Sequence, residues 1–255
     1  MRQLVATAGL LLALCAPASA ACDGSDATLG TTRVLEVDPA GLRVGTKSFP
    51  QTLPLAPKEV VLTFDDGPWP TTTAAVLDAL KAQCVRATFF LIGDNARARP
   101  QLVRRALAEG HTIAHHSMTH PAATLAKLPF DAAVKDIERG IAADEMAAYG
   151  ATGPVPRVPF FRFPGFASTP QLLEHLEKKG IAVFGADLWA SDWNVMTPEA
   201  ELELVMMRLD AAGGGIILFH DTKGYTAAMI PAFLAALRAH GYKVVHIVPK
   251  GQKAS

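Results

Sequence analysis

The stretch Val60-Val61-Leu62-Thr63-Phe64-Asp65-Asp66-Gly67-Pro68 is an apolar run that stops at two adjacent carboxylates and a turn. A run of that length between turn signals reads as a strand, and the chain repeats the pattern. Strands are predicted at Val60–Thr63, Ala87–Ile92, Thr112–His115, Phe160–Arg162, Ala182–Ala186, Ile216–Phe219 and Lys243–Ile247. Amphipathic helices are predicted between them, at Thr72–Gln83, Gln101–Glu109, Asp131–Ala147, Pro170–Lys179, Pro198–Ala211 and Ala227–His240. Such alternation is the signature of βα units around a mainly parallel sheet. Seven strands with intervening helices predict a closed or nearly closed barrel. An open doubly wound sheet is the alternative that pattern alone leaves standing.

Upstream, Val34-Leu35-Glu36-Val37 and Leu42-Arg43-Val44 flank Asp38-Pro39-Ala40-Gly41, which predicts a small β-hairpin. The first 20 residues read as a secretory signal: Arg2 is a positive start, Leu4 to Cys15 an apolar run, and Ala18-Ser19-Ala20 a cleavage site. Lipoprotein processing is a weaker alternative, because Ser19-Ala20-Ala21 before Cys22 lacks the preferred leucine. No later stretch supplies the roughly 20 apolar residues of a membrane span, so no stable membrane insertion is expected after signal cleavage. Basic and acidic residues number 24 each, so nothing favours a polyanionic partner and no nucleic acid is expected. Cleavage would leave Cys22 and Cys84, too few for a cysteine-based structural zinc site. In an oxidising compartment the two could bond; a buried, inert Cys84 and a loose Cys22 are equally compatible with the sequence.

Asp65-Asp66, His116, Arg162, Asp187 and His220 all fall at or just beyond the C-terminal ends of different predicted strands. That is the rim where a barrel's βα loops bring distant residues together. Adjacent carboxylates repel unless a cation compensates them, although Asp-Asp-Gly-Pro is otherwise an ordinary turn. The segment from Gly110 to Pro121 holds two His-x-x-x-His pairs. His111 and His115 lie along a strand, where four residues cover roughly 13 Å and the rings cannot share an ion. His116 and His120 follow the strand, where a bend can bring both imidazoles to one side.

Thr63-Phe64-Asp65-Asp66-Gly67-Pro68, His116-Ser117-x-x-His120, Arg162 with Pro164, Asp192-Trp193 and Leu218-x-His220 occur in that order. In these five motifs the chain, from about Lys58 to Val248, resembles the polysaccharide deacetylase family, carbohydrate esterase family 4. The resemblance implies a distorted (β/α) barrel, a divalent metal and hydrolysis of acetyl groups on sugars. With the seven predicted strands, the expected fold class is α/β, a distorted (β/α)7-type barrel with a short N-terminal β-hairpin extension. The expected division is a signal peptide over 1–20, the extension over 21–57, the deacetylase catalytic domain over 58–248 and a tail over 249–255. Carried onto matching positions, the resemblance makes Asp66, His116 and His120 the metal ligands and Asp65 the general base for the attacking water. Two imidazoles and a carboxylate suit zinc, and cobalt or ferrous iron would fit too. His220 would be the general acid, held by Asp192. Arg162 would orient Asp65 and lower its pKa. Leu218 and Trp193 would line the pocket for the acetyl methyl and the sugar face.

The chain departs from the family pattern in three places. Gly165 stands ahead of Phe166 where the family commonly has an aromatic residue, and the oxyanion N–H is assigned to Gly165. His115 stands where an asparagine often precedes the first metal histidine, and strand alternation points it away from His116. In Asp187-Leu188-Trp189-Ala190-Ser191-Asp192-Trp193, Asp187 competes with Asp192 for the place behind His220. The expected partner is an acetylated polysaccharide or oligosaccharide of a cell wall or extracellular matrix, N- or O-acetylated, met by an exported monomer in the periplasm or outside the cell. Alternatives are a hydrolase of a non-peptide C–N amide in a small molecule and a non-haem iron oxygenase, which shares the ligand set but has no use for Asp65 or His220. A silent glycan-binding barrel would be expected to have lost ligands or base, and all are present.

Overall fold

Every residue of Glu59–Asp65 is buried, as a strand packed on both faces must be. The computed structural model describes Cys22 and residues 28–251; the predicted signal peptide and the last residues of the tail lie outside the described residues. The strands are β1 (Thr31–Val37), β2 (Arg43–Val44), β3 (Glu59–Asp65), β4 (Thr88–Leu91), β5 (Thr112–His115), β6 (Phe160–Phe161), β7 (Ala182–Phe184), β8 (Leu188–Trp189), β9 (Gly215–His220) and β10 (Lys243–Pro249). The helices are α1 (Thr72–Ala82), α2 (Gly93–Ala98), α3 (Pro100–Ala108), α4 (Phe130–Tyr149), α5 (Pro170–Lys178), α6 (Pro198–Ala212) and α7 (Gly224–Ala239). Among the described residues no helix is long and apolar enough to cross a membrane.

β3 pairs in parallel with β4 and with β9; β5, β6 and β7 continue from β4, and β8 continues from β9. These seven staves form a ring that is open between β7 and β8. Because side chains alternate along a strand, each stave has an inner and an outer row. Val61, Phe90, Ala114, Phe160, Ala182, Phe184 and Ile216 fill the interior. Val60, Leu62, Phe64, Phe89, Ile113, Ile217 and Phe219 face outward into a layer shared with α1, α3 and α7. Counting in twos up the inner rows from Val61, Ala114, Phe160 and Ile216 reaches Asp65, His116, Arg162 and His220. The same alternation that builds the apolar interior therefore delivers the polar residues to its C-terminal mouth.

The predicted strand Lys243–Ile247 forms but is not a stave. It touches β3 only through Lys243 and Val244, and its Ile247 carbonyl accepts from Thr112 Oγ1 at the foot of β5 at 2.7 Å. It thus crosses the N-terminal mouth, and Val245 and Ile247 join the interior cluster. The seventh stave is β8, whose two residues are too few to show a hydrophobic period.

The predicted hairpin does not form. Its turn is present, with Ala40 N donating to Asp38 Oδ1 at 3.2 Å, but the two strands leave for different partners: β1 lies parallel to β10 and β2 parallel to β7. Residues 42–52 run along the open seam instead. Gly185 N donates to Val44 O at 2.6 Å and Lys47 N to Ala186 O at 2.9 Å. Asp187 accepts from Thr46 N at 2.8 Å, Thr52 Oγ1 at 2.5 Å and Ile216 N at 2.7 Å. Cys22 and Cys84 are joined by a disulfide across 62 residues of sequence, which settles the choice the sequence left open.

β1 is also anchored by charge. Arg33 donates to both oxygens of Glu59, Nε to Oε1 at 2.8 Å and Nη2 to Oε2 at 2.6 Å. The Arg33 hydrogen bond, helped by Ala56 N–H and against the pull of burial, holds the Glu59 carboxyl down at about 2. A carboxyl depressed by folding stabilises the fold above its unfolded pKa of about 4.5 and stops doing so as pH falls towards 2. Glu59→Gln should therefore remove about 2 kcal/mol of stability at pH 7 and much less at pH 2.5. Denaturant unfolding at the two pH values measures this, and an equal loss at both would refute it.

Candidate active site

Asp65 and His220 are register partners on adjacent parallel strands, so the predicted base and acid are brought side by side by strand pairing itself. Asp65 is buried, and its Oδ1 accepts from Arg162 Nη1 at 2.7 Å. Arg162 is itself fully buried, donating also to Thr63 Oγ1 at 2.9 Å and to Gly185 O at 2.8 Å, with its guanidinium 4.2 Å from the Phe90 ring centre. Burial raises the Asp65 pKa; Arg162 lowers it by charge and hydrogen bond, the direction expected from the sequence, as does the charge of His220, but burial outweighs them. A raised carboxylate is a better proton acceptor near neutrality.

Asp66, His116 and His120 present one ligand atom each within 4.8 Å of one another. Asp66 Oδ1 lies 3.5 Å from His116 Nε2 and 3.7 Å from His120 Nε2, and this buried oxygen has no hydrogen-bond partner among the described residues. His116 Nδ1 donates to Arg162 O at 2.7 Å, which fixes the tautomer and leaves the Nε2 lone pair directed at Asp66. Burial pushes His116 down to about 3, keeping it neutral as a ligand must be. An orphaned carboxylate oxygen facing two imidazole lone pairs fits a divalent cation.

The loop that carries the histidines is held by α4. Asp136 Oδ1 accepts from Met118 N at 2.9 Å, and its Oδ2 accepts from Thr119 Oγ1 at 2.7 Å. Gly140, one turn on, lies against the same loop: a Cβ there would sit 2.6 Å from Met118 N and from Ser117 O. Gly140→Ala should push the loop away, cost about 1–3 kcal/mol of stability and weaken metal affinity. A thermal melt beside a zinc titration checks both; unchanged values would mean the loop is held elsewhere. On the other side, Asn95 of α2 donates to Asp66 O at 2.8 Å.

Behind His220, the place contested by two carboxylates belongs to Asp192. Its Oδ1 lies 2.7 Å from His220 Nδ1, and its Oδ2 accepts from His220 N at 2.6 Å. Asp187 instead serves the seam. Burial opposes protonation of His220, but the Asp192 hydrogen bond and charge, with Asp66 and Asp65, push it up to about 9. The raised pKa favours the protonated imidazole.

A cavity of about 280 Å³ joins these groups, lined by Asp65, His116, His120, Gly165, Phe166, Trp189, Trp193, Leu218 and His220. A larger hollow of about 630 Å³ lies beside β1 and Cys84; convergence of polar groups, not size, singles out the first. Trp193 is half exposed at the mouth, so it is not a core residue, and its ring stands edge-on to Trp189 at 5.5 Å and to His220 at 6.2 Å. Trp189 and Phe166, stacked at 6.0 Å, complete a wall of which the sequence reading named only Trp193 and Leu218. His115 faces away into α4, its Nδ1 2.9 Å from Asp144 Oδ2. Asp66, Ser117, His120, Phe166 and Ser191, all at the site, are five of eight non-glycine residues with left-handed φ among the described residues. Such backbone strain concentrates where surrounding structure is arranged around a function.

Comparison with known proteins identifies the family. Residues 53–184 match the family model for polysaccharide deacetylase. The peptidoglycan-N-acetylglucosamine deacetylase PgdA of Listeria monocytogenes is 33% identical over 190 residues, 74% of this chain and 38% of that protein, so this chain spans well under half the length of that relative. A chitooligosaccharide deacetylase of Sinorhizobium fredii is 36% identical over 64% of this chain and 71% of its own. Among solved structures, a peptidoglycan deacetylase of Bdellovibrio bacteriovorus superposes with a TM-score of 0.77 at 31% identity, covering 89% of this chain and 62% of that one. Barrel, ordered motifs and relatives coincide, and the chain belongs to the polysaccharide deacetylase family.

Proposed function

We propose that the protein is a metal-dependent hydrolase that removes N-acetyl groups from a glucosamine-containing glycan of the peptidoglycan or chitooligosaccharide type. The observation that carries this reading is that Asp65 and His220, register partners on adjacent strands, line one cavity with His116 and His120, whose rings group with the Asp66 carboxylate. A divalent ion held by Asp66, His116 and His120, with zinc the first choice and cobalt or ferrous iron also suited, would polarise the acetyl carbonyl and make water acidic enough to attack it. Asp65, oriented by Arg162, takes the proton of the attacking water. His220, kept protonated by Asp192, gives a proton to the leaving amine. Trp193, Trp189 and Leu218 form the apolar wall for the acetyl methyl and sugar face, and Gly165 offers its N–H to the developing oxyanion.

Export as a monomer to the periplasm or beyond, through the signal read in residues 1–20, would place the enzyme where such glycans are. The N-acetyl choice draws on the relatives, which are named for peptidoglycan and chitooligosaccharide. The test is acetate release by the mature protein from N-acetyl chitooligosaccharides and from peptidoglycan fragments, beside O-acetylated xylan. Release from xylan alone would move the reading to an esterase, and release from none of them with metal bound would sink it.

A further inference from the structure

The carboxyl group of Glu201, in the first turn of α6, is fully buried. Among the described residues it is held by Thr226 of α7, whose Oγ1 lies 3.0 Å from Oε1 and 3.2 Å from Oε2. The same Oγ1 lies 3.1 Å from Asp192 Oδ2. Thr226 is fully buried as well. A threonine hydroxyl has one proton to give, so it cannot satisfy two carboxylates at once. Were Glu201 charged, the two carboxylates would compete for that proton and face each other across a single oxygen, away from water.

We propose that Glu201 is a positioning residue held as a neutral acid: its O–H donates to Thr226 Oγ1, which commits the Thr226 proton to Asp192 Oδ2 and so fixes the carboxylate that orients His220. Balanced in this way, the Glu201 O–H, the Thr226 O–H and both Asp192 oxygens each have a partner. Burial, with the Asp192 charge adding to it, raises Glu201 to about 7, against the Thr226 hydrogen bond and the His220 charge, so the neutral acid is the dominant form below that pH. Glu201 touches neither substrate space nor the three metal-ligating side chains, and it reaches His220 only through Thr226 and Asp192. Its role in turnover rests on the deacetylase reading; its hydrogen-bonding role does not.

The test compares Glu201→Gln, whose amide N–H can still donate to Thr226, with Glu201→Leu, which keeps volume and loses the donor. Expected is a kcat within about twofold of wild type for E201Q and about tenfold lower for E201L with KM unchanged, the size of loss seen when a supporting hydrogen-bond partner is removed. The NMR resonance of the His220 Nδ1 proton should stay in place in E201Q and move in E201L. Thr226→Val, which deletes the hydroxyl and keeps the shape, should reproduce the E201L loss and serves if E201L does not fold. Wild-type kcat and resonance in E201L or T226V would overturn the proposal, as would an E201Q variant that falls as far as E201L, since Glu201 would then act as an anion. If wild-type protein released no acetate, the deacetylase reading would fall while the resonance still decided the hydrogen-bond relay.

Discussion

Replacing Asp65 by asparagine is expected to lower kcat for acetate release by about 10³-fold, within the range of a lost general base, with metal content unchanged. Asparagine keeps the size of the side chain and can still accept from Arg162 Nη1, which sits 2.7 Å from Oδ1, so the site should keep its shape. What is lost is the capacity to take a proton, which burial strengthens by raising the Asp65 pKa. Because Arg162 is fully buried, neutralising its partner also leaves an uncompensated cation, so a fall in melting temperature should accompany the loss of rate. Metal analysis beside kcat separates the two effects. A variant that keeps metal and more than about a tenth of the rate would show that the proton goes elsewhere.

Stripping the metal with a chelator should take acetate release to background, and adding zinc or cobalt should restore it. His116→Ala should not be rescued. Asp65 and Asp66 are adjacent carboxylates that repel, and the buried Asp66 Oδ1 has no hydrogen-bond partner among the described residues. A cation between Asp66, His116 and His120 removes that cost, so the ion should stabilise the fold as well as support turnover. At a zinc concentration about 100 times Kd the gain is about 2.7 kcal/mol, which a melting curve reads without any substrate. Full activity after exhaustive chelation, or a melting temperature indifferent to zinc, would refute the assignment of the ligands.

How much of this was legible in the sequence follows from which physical pattern each part depends on. The staves and the residues at their upper ends were readable because apolar runs and strand alternation are local. The outward direction of His115 followed from the same alternation. The pairing of β1 with β10 and of β2 with β7 was not readable, because a turn signal such as Asp38-Pro39-Ala40-Gly41 says that the chain reverses, not which strand it meets next. β8 escaped because Leu188-Trp189 is shorter than one period. Arg162 was expected to depress Asp65 because proximity of charge is visible in a motif, while the depth of burial that outweighs it is a property of the assembled barrel. Asp136, Gly140, Glu201 and Thr226 lie inside helices, where a charge or a small residue looks like any other position on an amphipathic surface. Asp187 and Asp192 could not be separated five residues apart; their hydrogen bonds to Thr46, Thr52 and Ile216 on one hand and to His220 on the other separate them at once.

The ring's missing pair has a bearing on how the cavity can change shape. Gly165 and Phe166 follow β6, while Trp189 and Trp193 accompany β8, so the two sides of the cavity stand on opposite banks of the gap between β7 and β8. A continuous ladder would tie those banks at the interstrand spacing of about 4.8 Å. Here they are laced together by residues 42–52 and the Asp187 carboxylate. Substitutions in that lacing could widen or narrow the space offered to a sugar while β3, β5 and β9, which carry the reacting groups, keep their register. On the proposed reading, the width of the binding space is thus adjustable at the seam while Asp65, Asp66, His116 and His220 keep their strands, with Gly165 and Asp192 on the two banks the groups that would feel the change.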